Sequence, residues 1–213
     1  MTIAATAILF PNVKLGNNVT IEDFVIVGAP PRGAKPGDLE TVVGDNAHIR
    51  SHSVIYAGNV LGEEFASGHQ AFLRESNKIG DHVSIGTGSI IEHHVTIGNN
   101  VRIHSHVFIP EFSELHDDCW IGPNVVLTNA KHPKCPKVKH CLKGATIGRF
   151  AIIGANSTLV PDIVIGQRAL VGAGSVVVGD VEPETVVAGN PARFIKKIAD
   201  LDCPYEMMEK PYQ

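Results

Sequence analysis

Residues 61–127 read LGEEFASGHQAFLRESNKIGDHVSIGTGSIIEHHVTIGNNVRIHSHVFIPEFSELHDDCWIGPNVVL. Every sixth residue from Leu61 is Leu or Ile, with Ser67 the one exception: Leu61, Ser67, Leu73, Ile79, Ile85, Ile91, Ile97, Ile103, Ile109, Leu115, Ile121, Leu127. Four residues after each comes a second series, mostly small or β-branched, that runs through Phe65, Ala71, Asn77, Val83 and Ser89 to Cys119 and Val125. Gly follows the first series at Gly62, Gly68, Gly80, Gly86, Gly98 and Gly122. A period of six fits neither an amphipathic helix nor an alternating strand. A short repeat sustained over many units predicts a solenoid instead. Each unit is a short strand with its Leu or Ile inward, followed by a corner that glycine helps to bend. If three units close a coil, the coil takes eighteen residues and the solenoid is a triangular prism. No unit can bury its apolar side alone, so stability comes from its neighbours.

The period extends beyond this stretch in both directions. Ile3, Leu9, Leu15, Ile21 and Val27 precede it, then Val43, Ile49 and Ile55; Ile147, Ile153, Leu159, Ile165, Val171 and Val177 follow. It fails twice. GAPPRGAKPGDLET (28–41) is dense in Pro and Gly, and TNAKHPKCPKVKHCLKGA (128–145) is rich in Lys, so both are read as loops leaving the prism, over about 28–42 and 128–146. One domain is expected over 1–190. At the end, VVAGNPARFIKKIADL (186–201) offers Asn190 as a cap, Pro191 at a first helical turn and Phe194, Ile195 and Ile198 as an apolar side. The expectation is a short α-helix from Pro191 to about Leu201, inside a C-terminal unit of helix and tail over 191–213.

The 213 residues carry a formal net charge of -4. Basic residues do not cluster with aromatics as a strand-binding groove requires, so no nucleic acid partner is expected. MTIAATAILF lacks a basic leader region and merges into the repeat, and no apolar run is long enough to span a membrane. A cytoplasmic location and no membrane insertion are therefore expected. Of the four cysteines, Cys119 falls in the inward second series, whereas Cys135 and Cys141 lie near His132 and His140 in the second loop. Their spacing is not a common zinc spacing, so no metal is expected.

An eighteen-residue coil stacks residues eighteen apart at roughly 4.8 Å, as neighbouring strands do. One such column is Glu75, His93, Glu111, Asn129; beside it run Ser76, His94, Phe112, Ala130. The second loop springs from Asn129 and carries His132. Groups that titrate near neutral pH, gathered where a loop can cover them, make a candidate site, though each His also reads as a solvated surface residue. Glu111 or Glu92 could orient an imidazole. His48, His52, His69, His82, His104, His106 and His116 are read mainly as surface residues.

The repeat, with V/I-G-x-N/D-x-V in most coils, resembles the hexapeptide-repeat left-handed parallel β-helix, and the hand comes from that resemblance alone. IGPNVVLTNAKHP (121–133) is similar to the stretch of galactoside and maltose O-acetyltransferases whose His-Pro histidine is the general base, which implies that role for His132. GPNVVLTN with its loop resembles nucleotide-linked amino-sugar N-acetyltransferases, which implies that Asn129 holds the sugar near its amine. IIEHHVTIG (90–98) is similar to another sugar N-acetyltransferase group and implies a base at His93; that group has an acid next, where this chain has His94. The reaction implied is acyl transfer from acetyl-CoA to an amine that must lose a proton, for which a histidine is suited. Glu111 completes the implied catalytic set, and Asn129, Glu75, Glu92 and His94 the substrate-binding set.

For the coenzyme, IIGANSTLV and VGAGSVVVGDV (152–160 and 171–181) offer Gly154, Ala155, Gly172, Ala173 and Gly174, small residues past which a ligand can run close to the backbone. The resemblance lays the pantetheine arm along these coils and places GNPAR near the nucleotide, which points to Arg193, Lys196 and Lys197. It further implies a homotrimer with sites between prisms and a nucleotide-linked amino sugar as acceptor. Competing readings are a sugar or small-molecule O-acetyltransferase, a γ-class carbonic anhydrase and a non-enzymatic scaffold. The anhydrase needs two histidines five residues apart, a spacing no pair here has.

Overall fold

The structure, a computed structural model, describes residues 1–212; Gln213, the last residue of the expected tail, lies outside them. Two-residue strands recur every six residues, as at Ser84–Ile85, Ile90–Ile91, Thr96–Ile97 and Arg102–Ile103. Each pairs in parallel with the strand eighteen residues on, so that Ile85 meets Ile103 and Ile91 meets Ile109. Three units thus close one coil, and the coils stack into three faces of eleven, nine and eight strands among the described residues. This is the expected left-handed parallel β-helix, about ten coils tall.

The second residue of each strand points inward. The ladder from Leu61 to Leu127 is buried throughout, Ser67 included, and so is the second series, from Phe65 through Cys119 to Val125. Burial pushes the Cys119 thiol up to about 12, leaving it a small apolar filler. The buried polar members are satisfied. Asn77 donates to the Arg74 carbonyl and accepts from the Val95 amide, and Asn59 repeats the pattern one coil below.

The expected role of glycine in the corner is corrected. Left-handed backbone is taken not by the glycine after the ladder residue but two residues later, and mostly by non-glycine residues such as His82, His94, Asn100, His106 and Phe112, with φ near 55–64°. The glycine serves the approach of the next coil. A Cβ on Gly86 would stand 2.4 Å from the His104 carbonyl carbon, and one on Gly62 would stand 2.6 Å from that of Gly80.

The C-terminal α-helix is also corrected. Thr185–Gly189 and Ala192–Lys197 form an antiparallel hairpin on the end of the eleven-strand face, followed by a single 3₁₀ turn at Ile198–Asp200. The last coil leaves a row of unpaired backbone groups, and a strand satisfies them where a helix would not. That tertiary demand outweighs the helical spacing of Phe194, Ile195 and Ile198, of which only Ile198 is buried.

The two loops leave the prism where expected, and both leave the same edge, the one between the nine- and eight-strand faces, here called the loop edge. The first is closed at its neck by Thr41 N–H to the Asn12 carbonyl and Asn12 Nδ2 to the Gly37 carbonyl. The second is closed by Lys143 N–H to the Asn129 carbonyl, and Asp162 on the next coil pairs with both Lys131 and Lys143 at its two stems. Hydrogen bonds from these two lysines, Lys143 first, hold the Asp162 carboxyl below its usual range.

Coil contact makes the glycine positions unequal. Gly86→Ala is expected to lower unfolding stability by about 2 kcal/mol or more, whereas Gly179→Ala, where an added Cβ meets nothing within 4 Å, stays within about 0.5 kcal/mol. Urea unfolding of both variants checks this; equal midpoints would remove the close-approach account.

Candidate functional site

The loop edge differs from the other two at one repeat position. Directly after the ladder residue, the other edges carry glycine repeatedly, but here the residues are Tyr56, Arg74, Glu92, Pro110 and Thr128. Side chains therefore line this edge between the two loops. From the first loop to the second is five coil steps, roughly 24 Å at the parallel-strand spacing.

The structure joins the predicted column. His93 Nε2 lies 3.2 Å from Glu111 Oε1, and Asn129 Nδ2 donates to Glu111 Oε2. The other imidazole nitrogen, His93 Nδ1, is 2.8 Å from His94 Nδ1, so one of that pair carries the hydrogen and the other accepts it. His93 is three-quarters covered, while His94 is exposed. Phe112 packs edge-on to His93 at 6.0 Å and tilted against His94 at 5.8 Å.

Glu75 and Glu92 meet through Arg74, a residue the sequence reading missed. Its guanidinium donates twice to Glu75 at 2.8 Å and once to Glu92 at 3.1 Å, and it lies 5.7 Å from the Tyr56 ring centre. Burial pushes the Glu75 carboxyl up, but the Arg74 hydrogen bonds and the nearby cationic groups outweigh it and hold it below its usual range. Arg74 in turn is shifted up by its bond to Glu75. The buried Asn59 and Asn77 clamp the Arg74 carbonyl from inside the prism, which fixes the backbone that carries both charges. With Asn129 at the top and Arg74 at the bottom, the edge presents alternating donors and acceptors around a protected imidazole. That array suits a polyhydroxylated acceptor and a proton to be removed.

His132 is not gathered into this array. It is exposed in the second loop, where its backbone carbonyl accepts from the Cys135 amide. No side-chain hydrogen bond or ion pair joins it to the column among the described residues. Among the described residues no group of three or more His, Cys, Asp or Glu side chains could hold a metal, and none of the helices is long and apolar enough to cross a membrane. Of the histidines read as surface, His48 and His69 pair with Glu22, and His82 with Glu64. His104 departs from that reading, with its Nε2 buried and unpaired.

The coenzyme candidates lie elsewhere on the prism. Gly154, Ala155, Gly172, Ala173 and Gly174 stack on the edge between the eleven- and nine-strand faces, in column with Gly68 and Gly86. This small-residue edge is separated from the loop edge by the whole nine-strand face. Arg193, Lys196 and Lys197 are exposed on the terminal strand rather than on a helix.

That intervening face was also missed. Its outward residues are Ile8, Ile26, Val54, Phe72, Ile90, Phe108 and Val126, continued by Thr158 and Val176. The corresponding column on the eleven-strand face reads His48, Ala66, Ser84, Arg102, Trp120. Soluble monomers rarely expose an apolar stripe of that length. The signal was in the sequence, as apolar residues eighteen apart immediately before each ladder residue.

Residues 78–111 and 144–179 match the family described as bacterial transferase hexapeptide (six repeats). The bifunctional protein GlmU of Alkaliphilus oremlandii (strain OhILAs) is 34% identical over 165 residues, covering 78% of this chain and 33% of that protein. The chain therefore spans about a third of the length of that curated relative. Among solved structures, the UDP-N-acetylglucosamine acyltransferase of Francisella novicida superposes with a TM-score of 0.63 at 20% identity, over 92% of this chain and 69% of that one. LpxA, a UDP-N-acetylglucosamine acyltransferase from Bacteroides fragilis 9343, gives 0.61 at 19%, over 91% and 74%. At those identities the likeness establishes the fold. The repeat, the three-sided coil and the matched segments agree: over 78–111 and 144–179 the chain carries the repeat of the bacterial transferase hexapeptide family.

Proposed function

We propose that this protein is an acetyl-CoA-dependent N-acetyltransferase whose acceptor is the amino group of a nucleotide-linked amino sugar bound along the loop edge. The observation that carries the reading is the contact chain Asn129–Glu111–His93–His94 between two loops. With His93 donating from Nε2 to Glu111, its Nδ1 accepts from His94 Nδ1–H, which leaves the lone pair at Nε2 of the exposed His94 free to take a proton. The amine attacks the thioester carbon and its proton passes to this imidazole pair. Glu111 stabilises the charge that develops on His93. The C–S bond breaks, the amide forms, and the coenzyme leaves as the thiol after the thiolate takes the proton back. Asn129 and the Arg74–Glu75–Glu92 cluster hold sugar hydroxyls. Arg74 makes this edge better suited to a sugar that carries phosphate than a purely acidic edge would be.

Two comparisons support the sugar reading without reaching the substrate. The two solved structures are named as UDP-N-acetylglucosamine acyltransferases, and the chain covers only part of the curated relative. Within one prism the base edge and the small-residue edge flank opposite sides of the apolar nine-strand face. In our reading that face is buried against further copies of the chain in a homotrimer. A closed ring of such contacts is heterologous, so it sets the loop edge of one protomer beside the small-residue edge of the next. Acetyl-CoA lying along Gly154, Ala155, Gly172, Ala173 and Gly174 then meets the partner's base, with its nucleotide near Arg193, Lys196 and Lys197.

Thiol release from acetyl-CoA with nucleotide-linked amino sugars tests the chemistry. His93→Ala and His94→Ala are each expected to lower kcat by about 10²-fold or more. His132→Ala should change it less than about threefold. A hydroxyl analogue of the accepted sugar that turns over as well as the amine would instead favour O-acetylation.

Ile90→Glu places a charge on the centre of the apolar face. Sedimentation should show a trimer for the native chain and a monomer for the variant, with transfer lost although the loop edge is intact. A native chain that sediments as a monomer while turning over would remove the shared-site reading.

A further inference from the structure

The outer surface of the eleven-strand face has a feature that acetyl transfer at the loop edge does not use. Trp120, the single tryptophan of the chain, points out from this face and forms one wall of a recess of about 600 Å³. Phe150 and Ile152 form the floor and far side, and Tyr212 closes it from the C-terminal segment, held by Arg168 Nη2 donating 2.7 Å to the Tyr212 carbonyl. Three aromatic rings around one space suit a flat heterocycle.

A second recess, of about 260 Å³, lies two coils below on the same face. Its floor is the small column Ala66, Gly68, Ser84 and Gly86, and Arg50 and Arg102 stand on either side. The hydroxyls of Ser84, Thr87 and Ser105 and the exposed backbone add neutral donors. Arg50 is drawn partly toward Glu22 at 3.7 Å, but the Arg102 guanidinium makes no hydrogen bond or ion pair among the described residues. Two arginines over a floor of small residues suit phosphate oxygens.

The two recesses share no lining residue but are linked through neighbouring strands. Arg102 and Trp120 are register partners on neighbouring strands, and Ser84 is the partner of Arg102 on the other side. From the indole to the centre of the trough is therefore two strand spacings, roughly 10 Å. His104 lines the second recess, its ring 4.6 Å from that of Trp120 and its buried Nε2 unpaired.

We propose that this face binds a nucleoside diphosphate, with the base among Trp120, Phe150 and Tyr212 and the phosphates between Arg102 and Arg50. The span suits that class when the base lies against the Trp120 side of its recess, because Trp120 is the register partner of Arg102. The site is on a different face from the Glu75–Asn129 column and does not depend on what the loop edge transfers. The same chemistry occurs in adenine and in uridine nucleotides, free or linked to a further group, so the test separates the two bases.

The reporter is built in, because Trp120 emission is the only indole signal of the chain. Emission would be followed while ADP, UDP and inorganic pyrophosphate are titrated separately, with calorimetry as a second readout. The expected result is saturable binding of a nucleoside diphosphate, with pyrophosphate alone about tenfold weaker or worse. Arg102→Ala should weaken the nucleotide by about tenfold and Phe150→Asn, which keeps a residue suited to that left-handed corner, by about fivefold. Binding of ADP over UDP would assign the site to an adenine nucleotide, and the reverse to a uridine nucleotide. His93→Ala should leave the affinity unchanged. No signal or heat with either nucleotide overturns the proposal, as does an affinity indifferent to Arg102→Ala or one lost in His93→Ala. Pyrophosphate binding as tightly as the nucleotide overturns the aromatic half of the site.

Discussion

Successive coils of this protein cannot sit further apart than one parallel-strand hydrogen bond allows, and most of its sequence follows from that constraint. The same N–H to carbonyl link is made again and again at 2.8–3.0 Å, from Gly62 to Ile79, Gly80 to Ile97 and Gly122 to Ile153. At that spacing the corner backbones nearly touch, and at Gly62, Gly80, Gly86 and Gly122 there is no room for a Cβ after the ladder residue. Inside, the same spacing brings each Ile or Leu against the one above, and burial of a methyl-rich ladder is favourable only when both neighbours are present. The left-handed residue in each corner carries a backbone cost that side-chain contacts do not repay locally. Stacking over about ten coils offsets it.

The site we propose lies on the edge where glycine gives way to larger side chains. Tyr56, Arg74, Glu92, Pro110 and Thr128 occupy positions that are glycine at corresponding corners elsewhere, and both loops leave from there. A charged pair that is only a quarter exposed needs a backbone that does not move, and the buried amides of Asn59 and Asn77 supply it. The polar interior at this edge and the polar surface outside it are thus two sides of the same wall.

Much of this was legible before any coordinates. The inward ladder, the second series, the two loops and the column Glu75–His93–Glu111–Asn129 all follow from counting by six and by eighteen, because a solenoid turns sequence distance into spatial distance without long-range folding. What escaped the count depended on the third dimension. The terminal hairpin was hidden because Ala192–Lys197 is shaped by the open end of the last coil, not by its own spacing. Arg74 was passed over because its partners, Glu75 and Glu92, sit next to it in chain and in column, and neither relation shows which way a guanidinium turns. His132 matched a family motif by sequence, yet its loop leaves it outside the array within one prism. The apolar column from Ile8 to Val126 was countable but was masked by the stronger ladder one residue further on.

Both loops spring from one edge, and between them lies a whole number of coils. The distance separating them is therefore not continuously adjustable. It can change only by the insertion or loss of eighteen residues, in increments of about 4.8 Å, with each such change leaving every corner, ladder and charge pair above and below it untouched. A molecule held between the two loops is measured against a graduated rod. Relatives that differ by a coil would select acceptors by length in discrete sizes, with no substitution at the chemical groups themselves.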